Sequence, residues 1–356
     1  MDNGYLNHLV ETIQAKSKLL ARGGTTKTGI SNPPDTDTLD ISQITGIREY
    51  NPSEYIFTAL AGTPLKVIDR MLAENGQFLP FDPPFMNKAA TLGGTIAANL
   101  NGPGRYHYGG VRDFILGVQF LDDQGRLITA GGKVVKNAAG FDIPKLMVGS
   151  LGCLGTIVEV SFKVFPKPIE YITATAQFES LLDAMNSLFK LTSSPSEILC
   201  LELEAVEDFY DLKIRLGGDP KLFQDRISLL GNLLQDIEIL KGDQETKYWQ
   251  EINEFLWVPE GSVLVKIPLN PAHVPMLEEF LMLNRTLRRY SAGANVAWVA
   301  WSKSLKSLDE KLKELNLMGL SILGPADQVR LGAWERGIFY QKIKAALDPS
   351  GLWAEV

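Results

Sequence analysis

Glycines concentrated in one part of the chain are the residues whose type and spacing most suggest chemistry. Residues 93–155 contain 14 of the 32 glycines in a chain of 356 residues. Glycine costs backbone entropy, so this density indicates positive φ angles or a close approach of the backbone to a ligand. Bare N–H groups in such loops form concave nests that bind phosphate oxygens. We therefore expect a large, phosphate-bearing cofactor that lies along the backbone.

The two commonest phosphate-binding loops do not account for these glycines. Neither the pair at 102 and 104 nor the series at 149, 152 and 155 has the Gly-x-Gly-x-x-Gly spacing of a dinucleotide fold. The string Gly132-Lys133-Val134 lacks the Ser or Thr that follows the lysine of a P-loop. A different kind of nucleotide site is therefore expected.

Histidine and cysteine are too few and too scattered for a metal site or a catalytic triad. The histidines are His8, His107 and His273, and the cysteines are Cys153 and Cys200. An iron–sulfur cluster needs about four thiolates, so this chain cannot encode one. The histidines lack the spacing of zinc ligands, and dispersion also disfavours a Ser-His-Asp arrangement. Two cysteines fit a reducing compartment, in which thiols stay free.

Composition limits the class of protein and its partners. The net charge is −7 and the isoelectric point is about 5.2, which disfavours a nucleic-acid partner. No run of about 18 apolar residues occurs, so no membrane span is expected. We expect a cytoplasmic protein, with any membrane association provided by a partner. The length suggests two domains.

Hydrophobic patterning predicts an α+β protein whose first domain covers 1–168. We expect a short helix over 6–20, strands over 55–61, 114–121 and 126–130, and a helix that follows Pro64 and stops near Gly76. The clearest strand covers 156–165, where Val158, Val160 and Phe162 alternate with polar residues. The prolines at 166 and 168 end it and mark the domain boundary. Two lobes, split near residue 50, are expected within this domain.

The second domain, 169–356, is predicted to combine helices with an antiparallel sheet. Helices are expected over 178–191, 222–240, 271–285, 304–317 and 335–347. Strands are expected over 197–203, 262–267 and 320–323, with a strand pair over 287–301 that breaks near Gly293. Helices segregated from an antiparallel sheet are typical of the α+β class. The last residues, about 335–356, are expected to pack back on the first domain.

Several ordered motifs carry a resemblance to a known family. They are Ala-Gly-Thr-Pro at 61–64, Thr-Leu-Gly-Gly-Thr-Ile-Ala-Ala-Asn at 91–99, Lys-Asn-Ala-Ala-Gly-Phe-Asp at 136–142 and Gly-Ser-Leu-Gly-Cys-Leu-Gly at 149–155. In this order they resemble the FAD-binding domain of the vanillyl-alcohol-oxidase (PCMH-type) flavoproteins. Among these the chain is similar to the FAD-binding E subunits of bacterial glycolate oxidase (glycolate dehydrogenase). The likeness is dense over 47–168 and weak elsewhere.

The resemblance implies a two-lobed domain that binds FAD non-covalently, with the flavin ring facing a cap domain. It assigns the diphosphate loop to Arg22, Gly23, Gly24, Thr25 and Thr26. It assigns a second phosphate- and flavin-facing segment to Thr91, Gly93, Gly94, Asn99 and Gly102. It assigns the adenine and ribitol side to Gly152, Gly155 and Ile157. For any single glycine, a turn or tight packing is the alternative explanation.

No general base is recognisable, which leaves the chemistry open. Catalytic relatives carry a histidine and acid cluster in the cap, whereas His273 is the only histidine after residue 107 here. Tyr108, Arg112, Lys136 and Asp142 are candidates by location only, as is Tyr106. For Arg112 and Asp113, a buried ion pair that fixes a loop is the favoured explanation. His107 is expected to be a polar loop residue rather than a covalent flavin attachment.

Two hypotheses follow. The resemblance implies an FAD-containing subunit of a 2-hydroxy-acid dehydrogenase that passes electrons from a small substrate such as glycolate, through flavin, to an iron–sulfur subunit. A sister flavoprotein subunit is expected as a further partner. The alternative is a non-catalytic subunit, flavin-binding or flavin-free, that supports a catalytic sister chain. The Asp-Pro-Ser-Gly string at 348–351 matches the closing element of the family.

Overall fold

A computed structural model of the chain describes residues 3–30, 35–132, 142–207, 209–325, 328–335 and 337–356. The helices are α1 (Asn3–Ala15), α2 (Leu65–Ala73), α3 (Leu92–Ala97), α4 (Arg105–Tyr108), α5 (Val111–Phe114), α6 (Ile143–Met147), α7 (Leu181–Thr192), α8 (Phe223–Gly231), α9 (Gly242–Asn253), α10 (Val274–Leu283), α11 (Leu305–Glu314) and α12 (Ile338–Leu347). Single 3₁₀ turns occur at Pro52–Glu54, Met86–Lys88, Pro220–Leu222 and Pro271–His273. Within the described ranges, no helix is long and apolar enough to span a bilayer.

The strands of the first half are β1 (Leu19–Arg22), β2 (Asp37–Asp40), β3 (Ile47–Asn51), β4 (Ile56–Leu60), β5 (Gln77–Phe78), β6 (Ile115–Leu121), β7 (Leu127–Gly131), β8 (Thr156–Lys163) and β9 (Phe165–Pro166). Those of the second half are β10 (Glu170–Phe178), β11 (Cys200–Val206), β12 (Phe209–Gly218), β13 (Glu238–Lys241), β14 (Val263–Pro268), β15 (Leu287–Ser291), β16 (Val296–Trp301), β17 (Met318–Leu323) and β18 (Arg330–Gly332).

Strand β8 organises the first half of the chain. It lies at the centre of an antiparallel sheet in the order β3-β4-β8-β6-β7, while β1 and β2 form a separate parallel pair. Val158, Val160 and Phe162 are fully buried, as their alternation with polar residues predicts. Phe162 packs against Phe57 and Phe81, so one face of the sheet closes over an aromatic core.

The second half forms one large antiparallel sheet with two unlike faces. Its strand order is β13-β10-β12-β11-β15-β16-β14-β17-β18. One face is apolar and packs against helices α7, α8, α10 and α11. The other face meets the first half and carries buried polar and charged side chains, among them Thr173, Glu202, Arg215, Lys266 and Arg289. Because successive side chains alternate across a strand, every strand contributes to both faces.

The expected α+β class is confirmed, but one predicted helix is wrong. The segment 222–240 contains α8, which ends at Gly231, and then β13, which pairs with the edge strand β10. A leucine-rich run is compatible with either element, and here pairing with a distant strand decides the outcome. Strands β10 and β12 and helix α9 lie where no element was expected. The strand pair broken near Gly293 occurs as β15 and β16.

The C-terminal segment lies against the first strand of the chain. The Leu19 amide donates to the Leu352 carbonyl at 2.8 Å, and the Ala354 amide donates to the Leu19 carbonyl at 2.8 Å. Asp348 accepts hydrogen bonds from the Leu352 and Trp353 amides. Lys344 joins this group, because its ammonium donates to Asp348 and also to the Cys153 carbonyl. The end of the chain is thereby tied to β1 and to the glycine-rich loop at 149–155.

Candidate functional site

A cleft of about 460 Å³ lies between β1 with the loop that follows it, the start of α3, and the loop that precedes β8. Of the thirteen sequence-predicted cofactor residues, the following line it: Arg22, Gly23, Gly24, Thr25, Thr26, Thr91, Gly93, Gly94, Gly152, Gly155 and Ile157. The fold brings together three segments, within 20–30, 91–98 and 151–157, that lie far apart in the sequence. Asn99 and Gly102 do not line this cleft.

The loop after β1 presents bare backbone to the cleft. Within the described part of the chain, the N–H groups of Gly23, Gly24, Thr25 and Thr26 donate no hydrogen bond to a protein atom. Thr25 has a φ of 50°, a left-handed value that reverses the loop and is rare for a threonine. Successive amides on either side of such a reversal form a nest for an anion. This loop is the strongest anion-binding feature of the cleft.

Close packing on the other side explains why the loop needs glycines. A Cβ at Gly24 would come well within 3.0 Å of the Ala89 carbonyl oxygen, and one at Gly23 would overlap the Thr91 hydroxyl. The loop is also held by the second half of the chain, since the Gly29 amide donates to the Ile322 carbonyl at 2.9 Å. The bare amides are therefore fixed in place before any ligand binds, which reduces the entropy that binding must overcome.

The start of α3 forms the wall that faces this loop. Thr91 is the N-cap residue, and its hydroxyl accepts a hydrogen bond from the Gly94 amide at 3.3 Å. The Gly93 amide donates to the Ala61 carbonyl at 2.8 Å, and a Cβ at Gly93 would lie 2.7 Å from the Ala61 methyl carbon. Gly93 is thus a glycine because of packing, whereas Gly94 leaves the wall open toward the cleft.

The third wall is apolar. Leu20, Ile41, Leu151 and Ile157 face the cleft, together with the backbone at Gly152. Leu151 and Gly152 have φ angles of 53° and 82°, which turn the chain sharply around this end. The cleft therefore joins a polar end made of amides to an apolar end that suits a flat ring system. A nucleotide that carries a diphosphate has this combination of properties.

Lys27 is a site residue that the sequence interpretation did not assign. Its ammonium lies in the cleft, donates to the Thr26 hydroxyl at 3.2 Å, and is within 4 Å of the position a Cβ would occupy on Gly94. Burial lowers the pKa of Lys27 to about 8 from its ordinary 10.5. The sequence did offer a signal for Lys27, because it ends the Gly/Thr turn whose amides were expected to bind a phosphate. A cation in that turn attracts the same anion as the amides.

Asn99 and Gly102 lie where the two halves of the chain meet. Asn99 has a φ of 47°, and its carbonyl accepts a hydrogen bond from the Lys266 ammonium at 2.7 Å. A Cβ at Gly102 would overlap the Asp82 carbonyl, and it would also meet the Asn253 side chain of α9. Tight packing against the second half thus accounts for Gly102.

Of the four candidate catalytic residues, the three that the structure describes, Tyr108, Arg112 and Asp142, do not line the cleft. Lys136 lies outside the described residues. Arg112 is exposed, and Asp142 is an exposed N-cap of α6 that pairs with Lys145 at 2.7 Å. Tyr108 is half-buried against Phe78, His107 and Phe165, and burial with the nearby Asp82 raises its pKa to about 12. A phenol with so high a pKa is a poor general base near neutral pH.

The expected buried ion pair of Arg112 with Asp113 is wrong. Both residues are exposed, and the Asp113 carboxylate instead accepts a hydrogen bond from the Gly110 amide at 2.8 Å. The loop is fixed by this capping interaction at the start of α5. His107 is exposed, and Cys153 and Cys200 are buried free thiols. No group of three or more His, Cys, Asp and Glu side chains within the described residues forms a potential metal site.

A buried charged cluster joins the two halves. Arg215 on β12 makes two hydrogen bonds to the Glu245 carboxylate, at 2.7 and 3.2 Å, and its guanidinium lies 3.8 Å from Asp82. Asp82 in turn accepts a hydrogen bond from the Gly104 amide at 3.0 Å. Burial raises the pKa of Asp82, although Arg215 opposes this effect. The cluster fixes the 102–104 loop against the sheet of the second half.

Comparison with known proteins gives the family and the fold. The family described as FAD binding domain matches residues 6–131. Glycolate oxidase subunit GlcE of Escherichia coli (strain K12) is 30% identical over an aligned 366 residues, which cover 98% of this chain and 94% of that protein. Glycolate oxidase subunit GlcD of Bacillus subtilis (strain 168) is 38% identical over 175 residues, 48% of this chain and 37% of that protein.

Two further comparisons extend this picture. A D-lactate dehydrogenase of Archaeoglobus fulgidus is 33% identical over 149 residues, 41% of this chain and 33% of that enzyme. The chain thus spans nearly all of the GlcE protein but only about a third of the GlcD protein and of this dehydrogenase. A solved structure of alkyldihydroxyacetonephosphate synthase superposes with a TM-score of 0.71 over 97% of this chain and 74% of that one, at 14% identity. This likeness shows the PCMH-type fold alone.

Proposed function

The chain belongs to the same family as glycolate oxidase subunit GlcE, and we propose that it is the FAD-binding subunit of a complex that oxidises glycolate or a similar 2-hydroxy acid. FAD is its cofactor, as the matched FAD binding domain indicates. The cleft between β1, α3 and the 149–157 loop is the proposed FAD site. The relatives are oxidoreductases of hydroxy acids, so this chain is assigned to the same class of FAD-dependent enzyme subunits.

One observation carries the proposal: four bare amides and one partly buried ammonium face the same cleft. The amides of residues 23–26 and the Lys27 ammonium would hold the diphosphate, and the apolar wall at Leu151 and Ile157 would take the adenine end. The group is held by hydrogen bonds and packing, so we propose that FAD binds non-covalently. When bound, FAD supplies the redox chemistry, and the chain supplies position and electrostatics.

The chain's own residues divide the remaining tasks. The Thr91 cap and the Ala61–Gly93 contact keep the start of α3 open toward the cleft. The Lys344–Asp348 group holds the 149–155 loop, which closes the apolar end. The buried sheet face of the second half, with Lys266 and Trp298, covers the segment around Asn99 and excludes water from it. Water exclusion strengthens every electrostatic interaction inside the site.

Partner subunits are part of the proposal. This chain cannot hold an iron–sulfur cluster, because it has two cysteines, both buried. We therefore propose that electrons leave the flavin for a separate iron–sulfur subunit, that a sister flavoprotein completes the complex, and that the complex works in the cytoplasm, with any membrane contact made by a partner. For the domain organisation, we propose a boundary near residue 168 and a C-terminal segment that packs on the first domain.

A second function remains in view because of one specific feature. The segment after residue 107 has a single histidine, His273, which lies in a 3₁₀ turn and does not line the cleft. Proton abstraction from a hydroxyl group wants a base with a pKa near the operating pH. A non-catalytic subunit that carries FAD, or none, and supports a catalytic sister chain is consistent with this lack.

The visible spectrum of the purified chain, with and without its sister subunits, separates these functions. We expect a yellow chain whose flavin band is bleached anaerobically by glycolate or D-lactate when the complex is complete. Bleaching of the isolated chain would make this subunit catalytic by itself. A folded chain that stays colourless in excess FAD would contradict the proposal and support the flavin-free scaffold.

A further inference from the structure

Lys266 is a buried cation at the junction between the two halves. It lies in the middle of β14, where Val265 and Ile267 face the helix-covered side of the sheet and Lys266 faces the first half. Only 7% of the residue is exposed. Its ammonium donates a hydrogen bond of 2.7 Å to the Asn99 carbonyl, so the side chain crosses from the cap sheet to the segment that follows α3.

No carboxylate compensates this charge. The other buried cations on the same sheet face are paired: Arg215 with Glu245, and Arg289 with Glu204. Among the described residues, Lys266 makes no ion pair, and the nearby charge that acts on it is that of Arg105, which is also positive. Its neighbours in the register are Trp298 and Leu320, and the Trp298 ring centroid is 6.0 Å from the ammonium.

A buried and unpaired ammonium is costly unless an anion reaches it or it loses its proton. Burial, with a smaller contribution from Arg105, lowers the pKa of Lys266 to about 7. An anion next to this ammonium would offset the cost of burial and favour its charged form. An apolar residue of the same length would avoid the cost, so the charge is expected to serve a ligand.

Lys266 contacts the residue that directly follows part of the cleft lining in the sequence. Ala97 and Ala98 line the cleft, and Asn99, the partner of Lys266, follows them directly. Other parts of the same cleft are formed by Thr26 and Lys27 and by the apolar wall that includes Leu151 and Ile157. If the diphosphate lies on the 23–27 loop and the adenine on the apolar wall, the side of the cleft at Ala97 and Ala98, next to Asn99, is left for the flavin end.

We propose, on the basis of the proposed FAD-binding function, that Lys266 supplies the positive charge that stabilises the reduced, negatively charged flavin ring. If the bound flavin accepted a hydride, which is two electrons and one proton, from the substrate carbon, the ring would gain one negative charge, the hydroxyl proton of the substrate would be released and its C–OH would become C=O. An ammonium held near the ring by the fold would favour the reduced form with little reorganisation, and the negative ring would in turn favour the charged form of the lysine. Lys266 is thus assigned to the tuning of the flavin rather than to proton abstraction.

Sulfite is a direct probe of this charge, because it adds to an oxidised flavin ring through one S–N bond and leaves the adduct negatively charged. The variants are Lys266→Gln, which can still donate to the Asn99 carbonyl, and Lys266→Arg, which keeps the charge. Lys247→Met, on the exposed surface of α9, is the matched control for the loss of a lysine. Each purified FAD-loaded variant is titrated with sulfite, and its midpoint potential is measured.

We expect Lys266→Gln to retain FAD, to bind sulfite at least about tenfold more weakly, and to favour the reduced flavin about tenfold less, which for a two-electron couple lowers the midpoint potential by about 30 mV. Lys266→Arg and Lys247→Met should behave as the unaltered chain. An FAD-loaded Lys266→Gln with unchanged sulfite affinity and potential would overturn the inference. Should this variant fail to fold, Lys266→Met, which buries no polar atom, answers the same question. An unaltered chain that holds no FAD would instead refute the proposed function.

Discussion

Replacement of Lys27 by methionine should remove the pH dependence of FAD binding. In the FAD-free protein burial lowers the pKa of Lys27 to about 8, so this lysine loses most of its charge in mildly alkaline solution. A diphosphate beside the ammonium favours the charged form and is expected to return the pKa at least to the ordinary 10.5. Binding above about pH 8 must therefore take up a proton, and affinity falls as the pH rises.

The size of the effect follows from these two pKa values. Between about pH 7 and about pH 9 the dissociation constant of FAD should rise about tenfold, with nearly one proton taken up per FAD at the upper end. Lys27→Met should bind FAD more weakly at about pH 7, and its dissociation constant should change little between about pH 7 and about pH 9. Any pH dependence that comes from FAD itself appears in this variant too and can be subtracted. Lys306→Met is the control, because this lysine is 82% exposed on α11.

Calorimetric titration of the flavin-stripped chain with FAD measures the dissociation constant. Repeating it in buffers with different ionisation enthalpies gives the number of protons taken up. The unaltered chain and Lys306→Met should show the same rise of the dissociation constant. The same tenfold rise in Lys27→Met would refute the reasoning, because it would mean that another group carries the linked proton. A flat profile in the unaltered chain would mean that the Lys27 ammonium does not meet the diphosphate.

Three further changes test the framework of the site. Gly24→Ala should abolish FAD retention, because the added methyl overlaps the Ala89 carbonyl, whereas Gly231→Ala, with nothing within 4 Å, should leave FAD content unchanged and stabilise the chain by roughly 0.5–1 kcal/mol. Arg215→Met should lower the free energy of unfolding by about 3–5 kcal/mol in urea titrations, because it leaves buried carboxylates without their partner; a loss below about 1 kcal/mol would contradict the proposed role of the cluster. Asp348→Ala should cost about 3 kcal/mol and speed FAD release in a stopped-flow chase, because its carboxylate holds two backbone amides and Lys344; an unchanged release rate would show that the C-terminal group does not support the cleft.

Most residues that line the cleft could be predicted to lie together, because the causes of their spacing are local. The backbone requires a glycine where the chain reverses, as at Gly152, and where two segments pack tightly, as at Gly24. The sequence shows these glycines and their order along the chain directly. Lys27 was missed because a lysine in a Gly/Thr turn also suits a solvated surface, and its burial depends on segments far away along the chain. Asn99 and Gly102 were expected on a phosphate- and flavin-facing segment; the structure places them at the junction with the second half, outside the cleft lining.

The second half could be predicted less well, for a physical reason. Charged residues at alternate positions of β11, such as Glu202 and Glu204, are typical of a strand face in water, yet both are buried because the first half and α9 cover that face. The sequence pattern shows which face of the strand is polar, but not whether other elements cover that face. The helix expected over 222–240 failed for a related reason, since the pairing of β13 with β10 is a long-range contact that no local pattern contains.

The buried charges on this face also bear on the choice between the two functions. A subunit that served only as a scaffold could fill the junction with apolar side chains, which is often as stable as buried ion pairs or more so. Instead the junction holds paired ions around Arg215 and Arg289 and one unpaired ion at Lys266. This arrangement supports a ligand-binding junction, and thereby the flavin-carrying subunit over the flavin-free one.

The most direct test of the proposed site is the amount of FAD that stays with the purified chain through gel filtration, and the amount released when that chain is denatured. Main-chain amides, one ammonium and an apolar wall predict one FAD for each folded chain, all of it set free on denaturation. A folded chain that leaves the column without flavin after loading with excess FAD, or a flavin that remains attached to the denatured chain, would contradict the proposal.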